Sequence, residues 1–476
     1  MLDLKLKTSN TRLLFGVIII FFIQFLYLNQ TPFFWDAVSK AVRAKWFYDT
    51  NFSQFVLPVE LNSGHPPLWP LMLSSWWKIF GVSLLSSRFL LLIINILVGF
   101  QIIKLFKNIF PKKEHTILLF IVFLEPTFLA QTTILNNDML MLLFTLIAFN
   151  SIAYSTKKNE ILLTIALTGI LFSNLRGMLL FLCLGTIHLL FVYFKLKKVK
   201  HSIFPYIISV ILFIIFLIYQ YVTLGWVIKT PSLNWASHRS VAEFPHILKN
   251  IASVVRNFID YGRIIILVLT FYLLYKYLEI NSLRASVSVF KLTISILVFS
   301  IGMSLFFIFF TNPIGHRYYM ISYILIVLLL LFLINDLKLG GYNLKKLNIV
   351  IVIAFVTGHF WIYPSTISQG WDSSLAYLKY FKLRDKVELY IEDNNLNKNE
   401  IGTNLPLNRM QYSDLDFTIN ASNYSKLDLC LNKYVLLSNI ENETSDEAIR
   451  TIFKNWILVK KYNNLGVYIS LYKKPN

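Results

Sequence analysis

Eleven apolar runs fill the first 363 residues, and a chain that must hide so much hydrocarbon has few folds open to it. They read as spanning helices at about Leu13–Leu28, Leu84–Ile103, Thr116–Leu129, Met139–Tyr154, Ile161–Leu175 and Met178–Phe194. The series continues with Ile203–Leu224, Ile264–Leu278, Val287–Phe310, Tyr318–Ile334 and Leu347–Ile362. Within lipid every backbone N–H and C=O must be paired inside the chain, so runs of this kind become helices. Several fall short of the ~20 residues that a hydrocarbon core of roughly 30 Å asks for, so the number of spans is better defined than their ends. Composition agrees: 56% of residues are hydrophobic and 15% charged, against about 25% charged in soluble chains. A disordered or ordinary soluble protein is excluded, and the fold class is a polytopic α-helical membrane protein.

One run differs from the rest. Pro67–Phe80 has 14 residues, opens on Pro-Pro and contains Lys78, which predicts an interfacial or re-entrant helix. Leaving it out of the span count puts the short lysine-rich connections, such as Lys104–Lys113 and Lys195–Lys200, on one side with the basic N-terminus. That is the cytoplasmic side by the positive-inside rule. The first helix is read as an anchor rather than a cleaved signal. The outer side then receives two long loops, about 29–83 and 225–262, and the segment 364–476.

Charge splits the chain at the same place. Residues 1–363 hold 31 Lys/Arg and 12 Asp/Glu, whereas residues 364–476 hold 14 and 13. The basic excess therefore belongs to membrane loops, and no nucleic-acid partner is implied. Short alternating runs at Val387–Ile391, Tyr434–Leu437 and Val467–Tyr472 predict a small soluble α/β domain outside the membrane. Cys183 lies in an apolar run and Cys430 in the polar segment, so no disulfide framework is legible.

Polar candidates gather at the outer face. Trp35-Asp36 follows the first membrane exit and opens an amphipathic stretch, so Asp36 is either a helix cap or a carboxylate presented to lipid-borne substrates. His65 precedes Pro66-Pro67-Leu68-Trp69 at the water–lipid boundary. Asp138, after Asn136-Asn137, has a stronger cap alternative. Glu125-Pro126 puts a carboxylate near the end of a span, where it needs a partner. Arg176 and Arg317 sit at outer helix ends, either as snorkelling anchors or as phosphate ligands. No phosphate loop, HExxH, CxxC or GxSxG is present, and no two histidines stand at i, i+4. This removes the main sequence support for an ATP-driven pump, a zinc protease or a serine hydrolase.

The order of these features resembles the GT-C superfamily of polyprenyl-phosphate-sugar-dependent glycosyltransferases. The resemblance is to the bacterial branch related to dolichyl-phosphate-mannose–protein mannosyltransferases and lipid A aminoarabinose transferases. It rests on the membrane-proximal Asp36, on Gly64-His65-Pro66-Pro67-Leu68 running to Phe80-Gly81, and on Ser87-Arg88-Phe89. The Asp138 loop and Arg317-Tyr318 complete it. The match is good over about residues 10–180 and looser to residue 365. It implies Asp36 as the catalytic carboxylate, Asp138 as the second-loop acid and His65 beside the donor phosphate. Arg317, Arg176, Glu125 and Trp35 are further expected substrate contacts. Asp36 is followed by Ala37 rather than the second acid that many relatives carry. The implied reaction is inverting transfer of a sugar from a polyprenyl-phosphate carrier to an acceptor hydroxyl on a glycolipid, envelope glycan or protein. A bacterial plasma-membrane location follows, with membrane lipids as surroundings. No resident cofactor is implied, and a divalent ion is left open. Two alternatives stand beside this reading. One is a non-enzymatic lipid or glycan transporter, disfavoured by the lack of an inverted repeat. The other is a polymerase or ligase using lipid-diphosphate donors.

Overall fold

In the computed structural model, residues 2–111, 118–155, 159–196, 202–232, 240–283, 286–337, 341–365, 367–409, 415 and 424–475 are described. Several connecting lysines lie outside them, including Lys112, Lys113, Lys157, Lys158, Lys197, Lys198 and Lys200. So do Trp235, His238 and Arg239 of the second long loop.

The membrane part begins with α1 (Leu2–Leu28), which leads to α2 (Asp36–Asp49). Helix α2 buries Ala37, Val38, Ala41, Ala44 and Phe47, a helical spacing that turns one face onto α3 (Leu68–Phe80). At 13 residues, α3 reaches only about 20 Å, too short to cross. Its Trp77 Nε1 donates to Ser87 Oγ at 2.8 Å and its Trp76 Nε1 to Ser86 O at 2.9 Å, so it leans on α4 (Leu84–Ile109). The span expected at Thr116–Leu129 is corrected. Thr116 and Ile117 lie outside the described residues, and the remainder forms two short helices, α5 (Leu119–Phe123) and α6 (Pro126–Gln131). Pro126 cannot donate an N–H, and the Glu125 carboxylate instead accepts from Phe128 N at 2.6 Å. Apolarity of the run was read correctly; its helix break was not.

Helices α7 (Asp138–Tyr154), α8 (Glu160–Ser173), α9 (Arg176–Tyr193) and α10 (Phe204–Leu224) follow. The long loop expected at 225–262 is not loop throughout, because it contains α11 (Phe244–Ile259). This helix exposes Phe244, Leu248, Ile251 and Val255 along one stripe and buries Asn250 and Asn257. An 80° bend separates it from α12 (Arg263–Ile280). Gly262 makes the corner at φ +82°, where a Cβ would lie 2.0 Å from Ala354 O. Then come α13 (Val287–Ile308), a 3-10 turn (His316–Tyr319) that runs into α14 (Met320–Asp336), and α15 (Gly341–Gly358). Helix α14 is the central column, with nearly every residue from Met320 to Ile334 buried. Among the described residues, six helices are long and apolar enough to span, seven if the bent pair counts as one. Helices α7 and α8 are shorter apolar helices.

The C-terminal part is a mixed five-stranded sheet of order β2-β1-β3-β5-β4. Its strands are β1 (Ile401–Thr403), β2 (Ser425–Lys426), β3 (Tyr434–Ser438), β4 (Ile457–Asn464) and β5 (Val467–Lys473). β1 runs parallel to β2 and β3, while β5 is antiparallel to β3 and β4. Helix α16 (Leu378–Asp393) packs on β4 and β5, and α17 (Asp446–Asn455) precedes β4.

Candidate active site

Three distant segments deliver carboxylates to one arginine. Arg317, in the 3-10 turn before α14, donates through Nη2 to Asp36 Oδ2. Its Nη1 lies 2.7 Å from Asp372 Oδ2 and its Nε 3.8 Å from Asp138 Oδ2. Arg176 Nη2 donates to Asp138 Oδ1 at 2.7 Å, and its guanidinium lies 4.0 Å from the centre of the Tyr318 ring. Lys40, one turn beyond Asp36 on α2, donates to Asn136 Oδ1 and Asn137 Oδ1. Three anions thus meet three cations in one cluster.

Local structure explains why each side chain points there. Asp36 is the first residue of α2, but the cap position belongs to Trp35 and no side chain caps this helix. The cap alternative for Asp36 therefore gives way: its carboxylate serves Arg317. Asp138 is likewise not a cap, because Asn137 holds that position, and its side chain makes no capping bond. Trp35 takes φ 51°, a conformation uncommon for a bulky L-residue and typical of strain held at functional sites. It turns the chain sharply so that Asp36 faces inward. On the far side, Asn250 Nδ2 of α11 donates to Ile308 O at 3.0 Å and Phe310 O at 2.9 Å. Asn257 Nδ2 reaches Ile314 O at 3.3 Å. These two amides pin the approach to Arg317.

The side chain of Asp36 is 48% accessible and that of Asp138 fully buried, so the cluster lines a crevice with Asp36 toward the opening. Burial opposes ionisation of Asp36, but Arg317 and then Lys40 outweigh it and hold the carboxyl well below the usual carboxylate range. Burial also acts on Lys40, pushing its ammonium down to about 7 against the pull of Asp138 and Asp36. Several buried polar atoms of the cluster have no hydrogen bond among the described residues: Arg317 Nε and Asp138 Oδ2, which face each other at 3.8 Å, and Arg176 Nη1 and Asn136 Nδ2. Three are donors and one is an acceptor, a set suited to an anion with hydroxyls beside it. Buried polar groups ordinarily find partners, so these point to a ligand.

Of the other expected residues, Glu125 is engaged apart from the cluster. Glu125 is fully buried and paired with Arg263, 2.6 Å from its Nη2 and 2.8 Å from its Nε. Its carboxylate also caps α6, which makes it a structural group apart from the cluster. His65 is half-buried in the segment before α3. Trp35 adjoins Asp36, and its buried Nε1 has no partner among the described residues. Arg176 and Arg317 both point inward, which sets aside the snorkelling alternative. Lys40 and Asp372 were not singled out from sequence. Lys40 carried one signal, its i+4 spacing from Asp36; Asp372 carried none. Among the described residues no group of three His, Cys, Asp or Glu side chains is placed to hold a metal ion.

Residues 64–220 match the family model described as dolichyl-phosphate-mannose-protein mannosyltransferase. The whole fold resembles ArnT from Cupriavidus metallidurans. In its apo state the TM-score is 0.54 at 9% identity, covering 96% of this chain and 98% of that one. Bound to undecaprenyl phosphate, ArnT matches with TM-score 0.51 at 10% identity, covering 97% of each chain. No curated protein sequence matches significantly. Residues 64–220 are thus similar to that mannosyltransferase family, and the chain as a whole has the ArnT-like fold of membrane helices with a small C-terminal sheet.

Proposed function

We propose that this chain is an inverting glycosyltransferase that moves a sugar from a polyprenyl-phosphate carrier to an acceptor hydroxyl at the outer face of the membrane. One observation carries the reading: a half-open carboxylate, Asp36, shares Arg317 with two other acids beside unpaired buried donors. The family match and the ArnT structure with undecaprenyl phosphate support a lipid-phosphate donor. Arg176 Nη1, Arg317 Nε and Asn136 Nδ2 would receive the phosphate oxygens, and Asp138 Oδ2 a sugar hydroxyl.

The step balances within the cluster. The acceptor oxygen forms a bond to the anomeric carbon as its proton passes to Asp36. The bond from that carbon to the phosphate oxygen breaks, and its electron pair leaves with the lipid phosphate. A single displacement inverts the anomeric configuration. Asp36 becomes neutral as the phosphate gains a negative charge, so Arg317 exchanges one anion for another and stabilises the leaving group. A carboxylate held as acidic as Asp36 is a weak base until the guanidinium is drawn away, and the donor phosphate supplies that pull.

Asp36→Asn tests this reading in purified full-length protein in nanodiscs. A panel of undecaprenyl-phosphate sugars serves as donors in single-turnover transfer. Normal expression and undecaprenyl-phosphate binding are expected, with transfer lower by ~10²–10⁴-fold, the usual scale for loss of a general base. Wild-type transfer by the folded Asn variant would remove Asp36 from the chemistry.

A further inference from the structure

Asp372 belongs to neither outer loop, yet it completes the coordination of Arg317. It lies in a 3-10 turn (Trp371–Ser373) between α15 and α16, at the entrance to the C-terminal part. Its backbone is fixed from several sides. Gln131 Nε2 donates to Asp372 O at 2.8 Å, and Tyr261 OH donates to Gly370 O at 2.9 Å. Gly370 itself lies so close to His316 that a Cβ would meet Nδ1 at 2.6 Å. The carboxylate is committed as well: Oδ1 accepts from Ser373 Oγ at 3.0 Å, and Oδ2 lies 2.7 Å from Arg317 Nη1. A carboxylate held this firmly fixes the guanidinium through Nη1, while Asp36 binds it through Nη2.

We propose that Asp372 is a positioning residue of the transfer reaction: by holding Arg317 Nη1 it keeps Asp36 from capturing the guanidinium outright, and so keeps Asp36 able to take the acceptor's proton. The proposal rests on the reading of Asp36 as the base. Its physical content is competition. Three carboxylates divide one cation, and each draws it away from the others. Without Asp372, Arg317 is shared by two acids and the Asp36 pair tightens. The field of Asp372 also acts directly, since one negative charge disfavours another nearby. Both effects have the same sign.

The groups facing Asp372 are few. Arg317 pairs with it and is also held by Asp36 and Asp138. Tyr261 and Tyr377 are near enough to feel its charge, and the Ser373 hydroxyl binds it. Lys40 and Arg176 stand behind Asp36 and Asp138 and are common to every variant considered. The C-terminal part is thereby joined to the reaction centre by a functional side chain as well as by packing.

Carbodiimide labelling reads the effect without knowledge of sugar or acceptor, because the reagent attacks the protonated carboxyl. Full-length protein in nanodiscs is treated at pH 5 with a carbodiimide and an amine trap, and the extent at Asp36 is followed by peptide mass spectrometry. A one-unit change in acidity is a tenfold change in the protonated fraction. Asp372→Asn is expected to slow labelling of Asp36 by about 3- to 10-fold, and Asp372→Glu to restore it to within about twofold. Cys183, which is buried, reports folding by staying unreactive to maleimide. A role limited to anchoring the tail predicts the reverse, since loosening that turn opens the crevice and speeds labelling. Unchanged or faster labelling in a folded Asn variant overturns the proposal, as does slowing that Glu fails to reverse. Normal transfer by Asp36→Asn would overturn the base reading and with it the positioning role of Asp372, while slowed labelling would still show that Asp372 and Asp36 share Arg317.

Discussion

Arg317 carries more of the candidate site than any other residue, because it alone touches all three acids. A charge-assisted hydrogen bond is worth ~1.5–3 kcal/mol, so Arg317→Ala should abolish measurable transfer and weaken undecaprenyl-phosphate binding at least about tenfold. Arg450→Ala, on the exposed face of α17, should leave both unchanged. Arg317→Lys should recover only part, because an ammonium cannot hold Asp36 and Asp372 in one planar fork. Lys40 makes a different prediction. Below about pH 7 its ammonium is charged both folded and unfolded, and the folded state bears the full burial penalty. Between about 7 and 10.5 the folded chain has released a proton that the unfolded chain keeps, so stability rises with pH. Thermal unfolding across that range should show the rise in wild-type protein and a flatter curve in Lys40→Met. Sequence reasoning found four of the six cluster residues, Asp36, Asp138, Arg176 and Arg317, because each lies at the end of an apolar run. It passed over Lys40 as one cation on an amphipathic face. Asp372 was out of reach: nothing local marks it, and only the docking of the C-terminal part brings it to Arg317.

Among the elements, the break at Glu125-Pro126 was the hardest feature to read. Apolar periodicity reports that a run is buried and says little about whether its helix is continuous. The corner between α11 and α12 was missed for a related reason, since the sequence read as a loop holds a helix with its apolar stripe exposed. Both features meet at one buried pair. Arg263 opens α12, binds Glu125 beside the α5–α6 break, and stacks 4.1 Å from the centre of the Tyr323 ring of α14. Removing one member of a buried pair costs about 3–5 kcal/mol, whereas replacing both with apolar groups of similar size is often neutral. Glu125→Ala should therefore lower the unfolding temperature sharply, and Glu125→Leu with Arg263→Met should restore most of it. Unfolding followed in detergent micelles decides this. A Glu125→Ala protein as stable as wild type would mean that the pair does not hold the break against the corner.

For the whole molecule, sidedness can be read with a residue already present. Cys430 is exposed in the C-terminal part and Cys183 is buried among membrane helices. A membrane-impermeant maleimide added to intact cells should label the unaltered protein, and Cys430→Ser should abolish the signal. Labelling only after permeabilisation would place the C-terminal part and the crevice on the cytoplasmic side. The expected orientation rests on the Lys/Arg asymmetry between connections, because charge bias concerns short loops and survives errors in helix ends. The link from Arg317 to Asp372 has a consequence for biosynthesis. The ribosome releases Asp36, Asp138, Arg176, Arg317 and Asp372 in that order, and domains of a growing chain generally fold as units, N-terminal first. The membrane helices can thus insert and bundle while the carboxylate for Arg317 Nη1 is still unmade. A nascent chain interrupted before residue 372 would sit in the bilayer with an ill-balanced, cation-rich crevice. Completion of translation would then switch the crevice on.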